Sequence, residues 1–195
     1  MRQTPASRRK RRKPNTPSPM TREEFNSLNL KPELVPAPLW SRNLRHALGP
    51  KSKKWETIRQ DTIASSEGKC AYCGAHYDKG IICHEVWQYD DARHVATLTG
   101  FQLVCRDCSA VVHFGFTTVL GAGFVLEKPR APLGLNLIGK AKARFITLSR
   151  ISSAKADAAL AFAFKQHSER SRHSWQLRLS LAVVAKYPFL ADVRL

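Results

Sequence analysis

Two C-x-x-C pairs, Cys70–Cys73 and Cys105–Cys108, stand with 31 residues between them and constrain the fold more than any other feature. Each pair can place two thiolates on one ion. Two pairs complete a tetrahedron with metal–sulfur bonds of about 2.3 Å. All four positions are then filled by protein, so the ion expected here is a structural zinc. It would staple a subdomain whose own core is thin. Four cysteines also suit an iron–sulfur cluster, and that alternative stays open. Cys83 is left over from the total of five cysteines and reads as a free buried thiol. The first 20 residues contain no apolar stretch after their charges, so they do not read as a secretory signal. Pairing as disulfides is correspondingly disfavoured.

Charge is the second constraint. Lys and Arg number 32 against 15 Asp and Glu, a formal net charge of +17. Such an excess predicts a polyanionic partner, nucleic acid before an anionic membrane surface. Residues 1–20 hold seven Arg or Lys, four Pro and no acid, and are read as a disordered basic arm. Arg8, Arg9, Lys10, Arg11, Arg12 and Lys13 are its expected phosphate contacts. No long uncharged apolar run predicts a membrane span, and a cytoplasmic location is expected.

Local patterns set the coarse organisation. "TREEFNSL" opens on a capping box, Thr21 with Glu24, and predicts a short helix. "KPELVPAPLW" has three prolines and must be extended or turning. "SRNLRHAL" predicts a helix stopped at Gly49 and Pro50, and "KKWETIRQDTIASSEG" a longer one stopped at Gly68. "IICHEVWQY" and "ATLTGFQLVC" read as strands, and "DCSAVVHFG" opens a helix. The stretch 117–140 has four Gly and two Pro and reads as loop with short strands. "KARFITLSRI" reads as helical. Residues 152–187 read as the longest helical stretch, with Ala158, Phe162 and Lys165 on one stripe and Trp175, Leu179 and Ala182 on another. The expected division is an arm at 1–20, a helical and extended flank at 21–68, a finger at 69–125 and a helical region at 126–195.

A closed four-cysteine site leaves His84, Glu85 and His113 without structural duty. His84 falls mid-strand. His113 follows Ser109 by four residues, so both lie on one helix face. A strand histidine facing a helix ligand across a metal-stapled turn can form a hydrolytic site. His84 would deprotonate a water, and a helix ligand with a carboxylate would hold Mg2+ or another divalent cation. Taken singly, each histidine is more often a structural residue; together, in so basic a chain, they favour function. His76, beside the first cysteine pair, reads as a surface group or a fifth candidate ligand, and His94, His167 and His173 read as surface groups. Arg170, Arg172 and Arg178 read as either phosphate contacts or a solvated helix face.

The order CAYC, CHEVWQYDD, LTGFQLVCRDC, VVHFG resembles the HNH endonucleases, the zinc-containing His-Me finger or ββα-metal group. More narrowly it resembles a bacterial and phage subgroup with a CHE-x-W-x-YD…L-x-G-x-x-x-x-C-x-x-C core. The flanks "PLWSRNLRHAL", "WETIR" and "SERSRHSWQLRLSL" extend the similarity over about residues 34–182. The resemblance implies an α+β fold: a ββα-metal finger stapled by a four-cysteine zinc and flanked by helices. It implies that His84 is the general base, that the four cysteines hold zinc, and that helix residues after Cys108 hold the catalytic cation. It implies DNA phosphodiester hydrolysis, with RNA a weaker alternative. Two positions depart from the pattern. Gly100 stands near the middle Asn of the broad family. Ser109 stands where His or Asn is usual, and its neutral hydroxyl is a weak ligand beside imidazole. Either His113 stands in from the next turn with Glu85 as anionic ligand, or the finger is a non-enzymatic DNA-binding module.

Overall fold

The computed structural model describes residues 19–49, 51–121 and 136–195. The basic arm, including Arg8 to Lys13, falls almost wholly outside them. The described chain is α+β, with a three-stranded sheet and eight α-helices.

Caps at the helix starts follow from local chemistry. Thr21 and Glu24 form both bonds of a capping box ahead of α1 (Arg22–Asn26). Asn43 caps α2 (Leu44–Leu48), and Ser52 caps α3 (Lys53–Ser65). Strand β1 (Ile82–Asp90) pairs antiparallel with β2 (Val95–Val104), with His84 opposite Gln102 and Val86 opposite Gly100. The register shifts between Val86 and Trp87, a bulge at which Thr99 Oγ1 donates to the Val86 carbonyl. The chain then enters α4 (Arg106–Val112) and α5 (Phe114–Gly121). After the undescribed stretch come α6 (Asn136–Ser149) and α7 (Ser153–Arg170), the latter capped by Ser152.

Two sequence expectations fail here. The stretch 117–140 is helical at both described ends, in α5 and α6. The helical reading of 152–187 breaks after Arg170. A turn leads into β3 (Gln176–Leu179), which adds parallel to β2, and α8 (Leu181–Lys186) follows, capped by Ser180. The cause is tertiary. Trp175 is 5% exposed, packed with Leu39 and Ala96, and its indole donates to the Arg170 carbonyl. That burial fixes the break, and the open side of β2 supplies backbone partners to the residues after it. On α7 the buried stripe is Ala156, Ala159, Leu160 and Ala163, shifted from the stripe expected.

The sheet separates two cores. On one side Leu98, Cys83, Trp87 and Phe101 pack on Trp55 and Ile58 of α3 and on Val183 of α8. On the other, Val104 joins Val111 and Val112 of α4, Phe145 of α6 and Ala159 of α7. Met20, Phe25, Leu28 and Leu30 belong to this second core, so the expected boundaries at 68/69 and 125/126 do not divide it.

Arg170 ties the two ends of this frame together. It makes a two-pronged bond to Asp91, Nε to Oδ1 at 2.6 Å and Nη2 to Oδ2 at 3.1 Å. Its guanidinium lies 4.3 Å from the Tyr89 ring centroid, and Arg22 adds a bond to Asp91. Arg170 is only 14% exposed, so it is a bracing residue and not the free phosphate contact expected. Burial opposes ionisation of Asp91, but the bonds from Arg170 and Arg22 outweigh it and hold its carboxyl below the ordinary value. The contribution is therefore complete at neutral pH and is lost as pH falls through the folded value. Asp91→Asn is expected to lower stability by roughly 1–3 kcal/mol at neutral pH, read by denaturant unfolding, with little difference from wild type in strong acid.

Candidate metal centre and histidine pair

The four expected cysteines converge. The sulfurs of Cys70, Cys73, Cys105 and Cys108 all lie within 4.8 Å of one another. A tetrahedron with 2.3 Å bonds has edges of about 3.8 Å, so a small contraction on metal binding closes it. The local fold builds this cluster. Gly74, at φ +69°, turns the chain so that its amide bonds back to Cys70, a conformation glycine adopts without strain. The Ala71 amide then bonds to Leu103, which ties the first pair to the end of β2. Cys105 caps α4 and donates its amide to Cys70 Sγ at 3.3 Å.

Arg144 is a residue that the motif alone does not reveal. It reaches from α6 and donates Nη2 to Cys108 Sγ at 3.7 Å. Four thiolates on a divalent ion carry two negative charges, and a guanidinium beside them offsets part of that. Its only sequence signal is a cation inside the apolar run "KARFITL". Arg144→Gln is expected to weaken metal retention by about 10–100-fold, checked by competition with a colorimetric chelator.

His84 and His113 also meet. Their Nε2 atoms lie 3.0 Å apart, with ring centroids 4.8 Å apart. β1 presents His84 on the face that packs toward α4, and His113 caps the C-terminus of that helix. The cysteine cluster joins β2 to the start of α4 and so sets this approach. Burial pushes His84 down to about 4, and the neighbouring His113 adds to the shift; the backbone of Glu85 pulls weakly the other way. Burial also lowers His113. Both rings are therefore neutral at neutral pH. His84 Nδ1 is buried without a hydrogen-bond partner, so Nε2 is the nitrogen that faces a neighbour. On the same side of the hairpin, Gln102 bonds to the Tyr72 hydroxyl at 2.9 Å.

Glu85 does not join this pair. Successive strand residues point to opposite faces. Its carboxylate accepts from the Arg45 amide at 2.9 Å, the Leu44 amide at 3.3 Å and the Trp87 indole at 3.0 Å. It pins the start of α2 to β1 and is not available as a cation ligand beside His84. Burial pushes its carboxyl up, against those three bonds. Ser109 sits one turn before His113, and its carbonyl accepts the His113 amide. Among the described residues the four cysteines are the one group of three or more metal-ligating side chains in mutual reach.

The remaining candidates scatter. His76 pairs with Asp78 and is 57% exposed. His94 stacks on His173, with centroids 4.1 Å apart. Arg172 and Arg178 are exposed. Cys83 is a free thiol that donates to Thr62, and burial raises it. No helix among the described residues is long and apolar enough to cross a membrane. Comparison with protein-family models, curated proteins and solved structures finds no match, so the site rests on its own geometry.

Proposed function

We propose that the chain is a metal-dependent hydrolase of nucleic-acid phosphodiester bonds, of the HNH type, stapled by a structural zinc. The observation that carries this reading is the pair of neutral imidazoles, Nε2 to Nε2 at 3.0 Å. That separation subtends about 90° at a cation with bonds of about 2.1 Å, the angle between adjacent ligands of an octahedron. Imidazole suits zinc, nickel, copper or iron, whereas Mg2+ prefers carboxylate and phosphate oxygen. With Glu85 turned away, the residues present fit an imidazole-binding divalent cation better than Mg2+. His84 and His113 would hold it.

Such a cation, when bound, polarises the phosphoryl group and stabilises the leaving oxygen. The chain's own contribution is to hold the two Nε2 atoms at ligand spacing; one imidazole donates this bond to the other, and that ring would take its other tautomer to bind the cation. Burial holds the two rings neutral, which a ligand must be. With its Nε2 on the cation His84 would be a ligand and not the general base expected, and the cation would activate the attacking water by lowering its pKa. The four-cysteine staple fixes the distance from strand to helix. The +17 charge draws the polyanion in without reading sequence.

A second reading has its own support. Glu85 is engaged by α2 and Trp87, and Ser109 carries a hydroxyl at the position where the family it resembles has His or Asn. The finger would then be a nucleic-acid-binding module without hydrolysis. Incubating plasmid with the zinc-loaded chain and Mg2+, Mn2+ or Ni2+ separates the two. Nicking that disappears in both His84→Ala and His113→Ala supports the hydrolase. Nicking that survives either substitution sinks it.

A further inference from the structure

Trp40 is 62% exposed, whereas Trp55 and Trp175 are each 5% exposed. Trp87, the remaining tryptophan, is partly buried against the α3 side of the sheet. An indole is costly to leave in water, and this one is held there by its own backbone. Its Nε1 donates to the Val35 carbonyl at 2.9 Å, which fixes the ring's orientation. Ser41 beside it adopts φ +63°, a left-handed conformation uncommon for a residue other than glycine.

From Leu34 to Trp55 the sequence around Trp40 carries one sign of charge only. Residues 34–55 contain Arg42, Arg45, Lys51, Lys53 and Lys54 and not one Asp or Glu. Glu85, the carboxylate that contacts this segment, is consumed by the Leu44 and Arg45 amides and the Trp87 indole. That same bond set joins α2 to β1 one residue from His84. Arg42 donates to the Leu195 carbonyl, and the Arg45 guanidinium lies 6.0 Å from the Trp55 ring centroid, so both cations are braced yet exposed.

We infer that Trp40, Arg42 and Arg45 form a platform for single-stranded nucleic acid, with Trp40 stacking on an unpaired base and the arginines on the flanking phosphates. A fixed, exposed aromatic face within an acid-free basic segment is the combination such strands require. Every base offers a π-face, so stacking tolerates any sequence. A duplex hides those faces and meets only the arginines. The segment that carries the platform is pinned to the strand of His84 through the bonds from the Leu44 and Arg45 amides to Glu85. The platform's role rests on nucleic acid being the partner of the His84 site, but it is tested by binding, without cleavage.

The test uses the zinc-loaded full chain with no added divalent cation. Intrinsic fluorescence is titrated with single-stranded oligothymidine and with a duplex of equal length. The single strand is expected to quench the emission. Trp40→Ala is expected to weaken single-strand affinity about tenfold while duplex affinity stays within about twofold, and Trp40→Phe to restore most of the loss. Arg45→Gln should weaken both and flatten the salt dependence. Unchanged single-strand affinity in Trp40→Ala overturns the platform. So does concentration-dependent self-association, seen by sedimentation and lost in Trp40→Ala, which would assign the ring to a second copy of the chain. A chain that binds strands through Trp40 yet never nicks plasmid would sink the hydrolase reading alone.

Discussion

Cys105→Ser is expected to abolish metal retention and unfold the β1–β2–α4 unit. Cys105 stands at the join of β2 and α4. Its sulfur lies 3.9 Å from Cys73 Sγ, and its amide bonds to Cys70 Sγ. Structural zinc sites contribute about 10–16 kcal/mol of apparent binding energy at neutral pH, comparable with the whole net stability of a domain. Loss of one thiolate therefore removes an amount the surrounding core cannot replace. Elemental analysis of the wild-type chain should find about one zinc per chain. A strong chelator should reproduce the effect of the substitution by circular dichroism. Burial pushes the Cys73 and Cys108 thiols up, so binding an ion must displace protons and retention must weaken in acid. Iron with visible absorption would replace zinc by a cluster. A Cys105→Ser chain that keeps its metal and its helical signal would refute the staple.

His84→Ala and His113→Ala are each expected to reduce plasmid nicking by at least about a hundredfold, without loss of zinc. Ni2+ should support nicking better than Mg2+ or Mn2+, because two imidazoles and no carboxylate line the proposed position. Ser109→His would add an imidazole one turn before His113, and a gain in activity would mark the wild-type site as degenerate. The pair also predicts an acid limit. Both imidazoles have folded values below the ordinary 6.5, with His84 near 4. The unfolded chain therefore binds protons first, and stability falls as pH drops from about 6.5 toward 4, then levels off. In His84→Ala that loss should shrink. An unchanged acid limb in this variant would show that the contact does not carry the pH dependence.

Much of the scaffold was legible from short-range chemistry. The capping box at Thr21 and Glu24, the Asn43 and Ser52 caps and the alternation of β1 each depend on neighbours a few residues away. The cysteine cluster was legible too, because C-x-x-C spacing has few other uses in a chain of this kind. The break after Arg170 was not. Residues 152–187 carry a continuous helical pattern, and only the buried Trp175 and the open side of β2 redirect it.

The candidate site divides along the same line. His84 and His113 were singled out in the sequence, yet their 3.0 Å contact depends on strand, helix and staple together. Glu85 was grouped with them as a sequence neighbour, and the pleat sends it to the opposite face to hold α2. Arg170 looked like a surface cation until Asp91, 79 residues away, engaged it. By itself the sequence determined which residues have metal-binding side chains and which segments carry the positive charge, because ligand chemistry and charge belong to side chains. Only the tertiary structure decided which of those groups meet, because pleat direction, helix packing and burial are properties of contacts between distant segments.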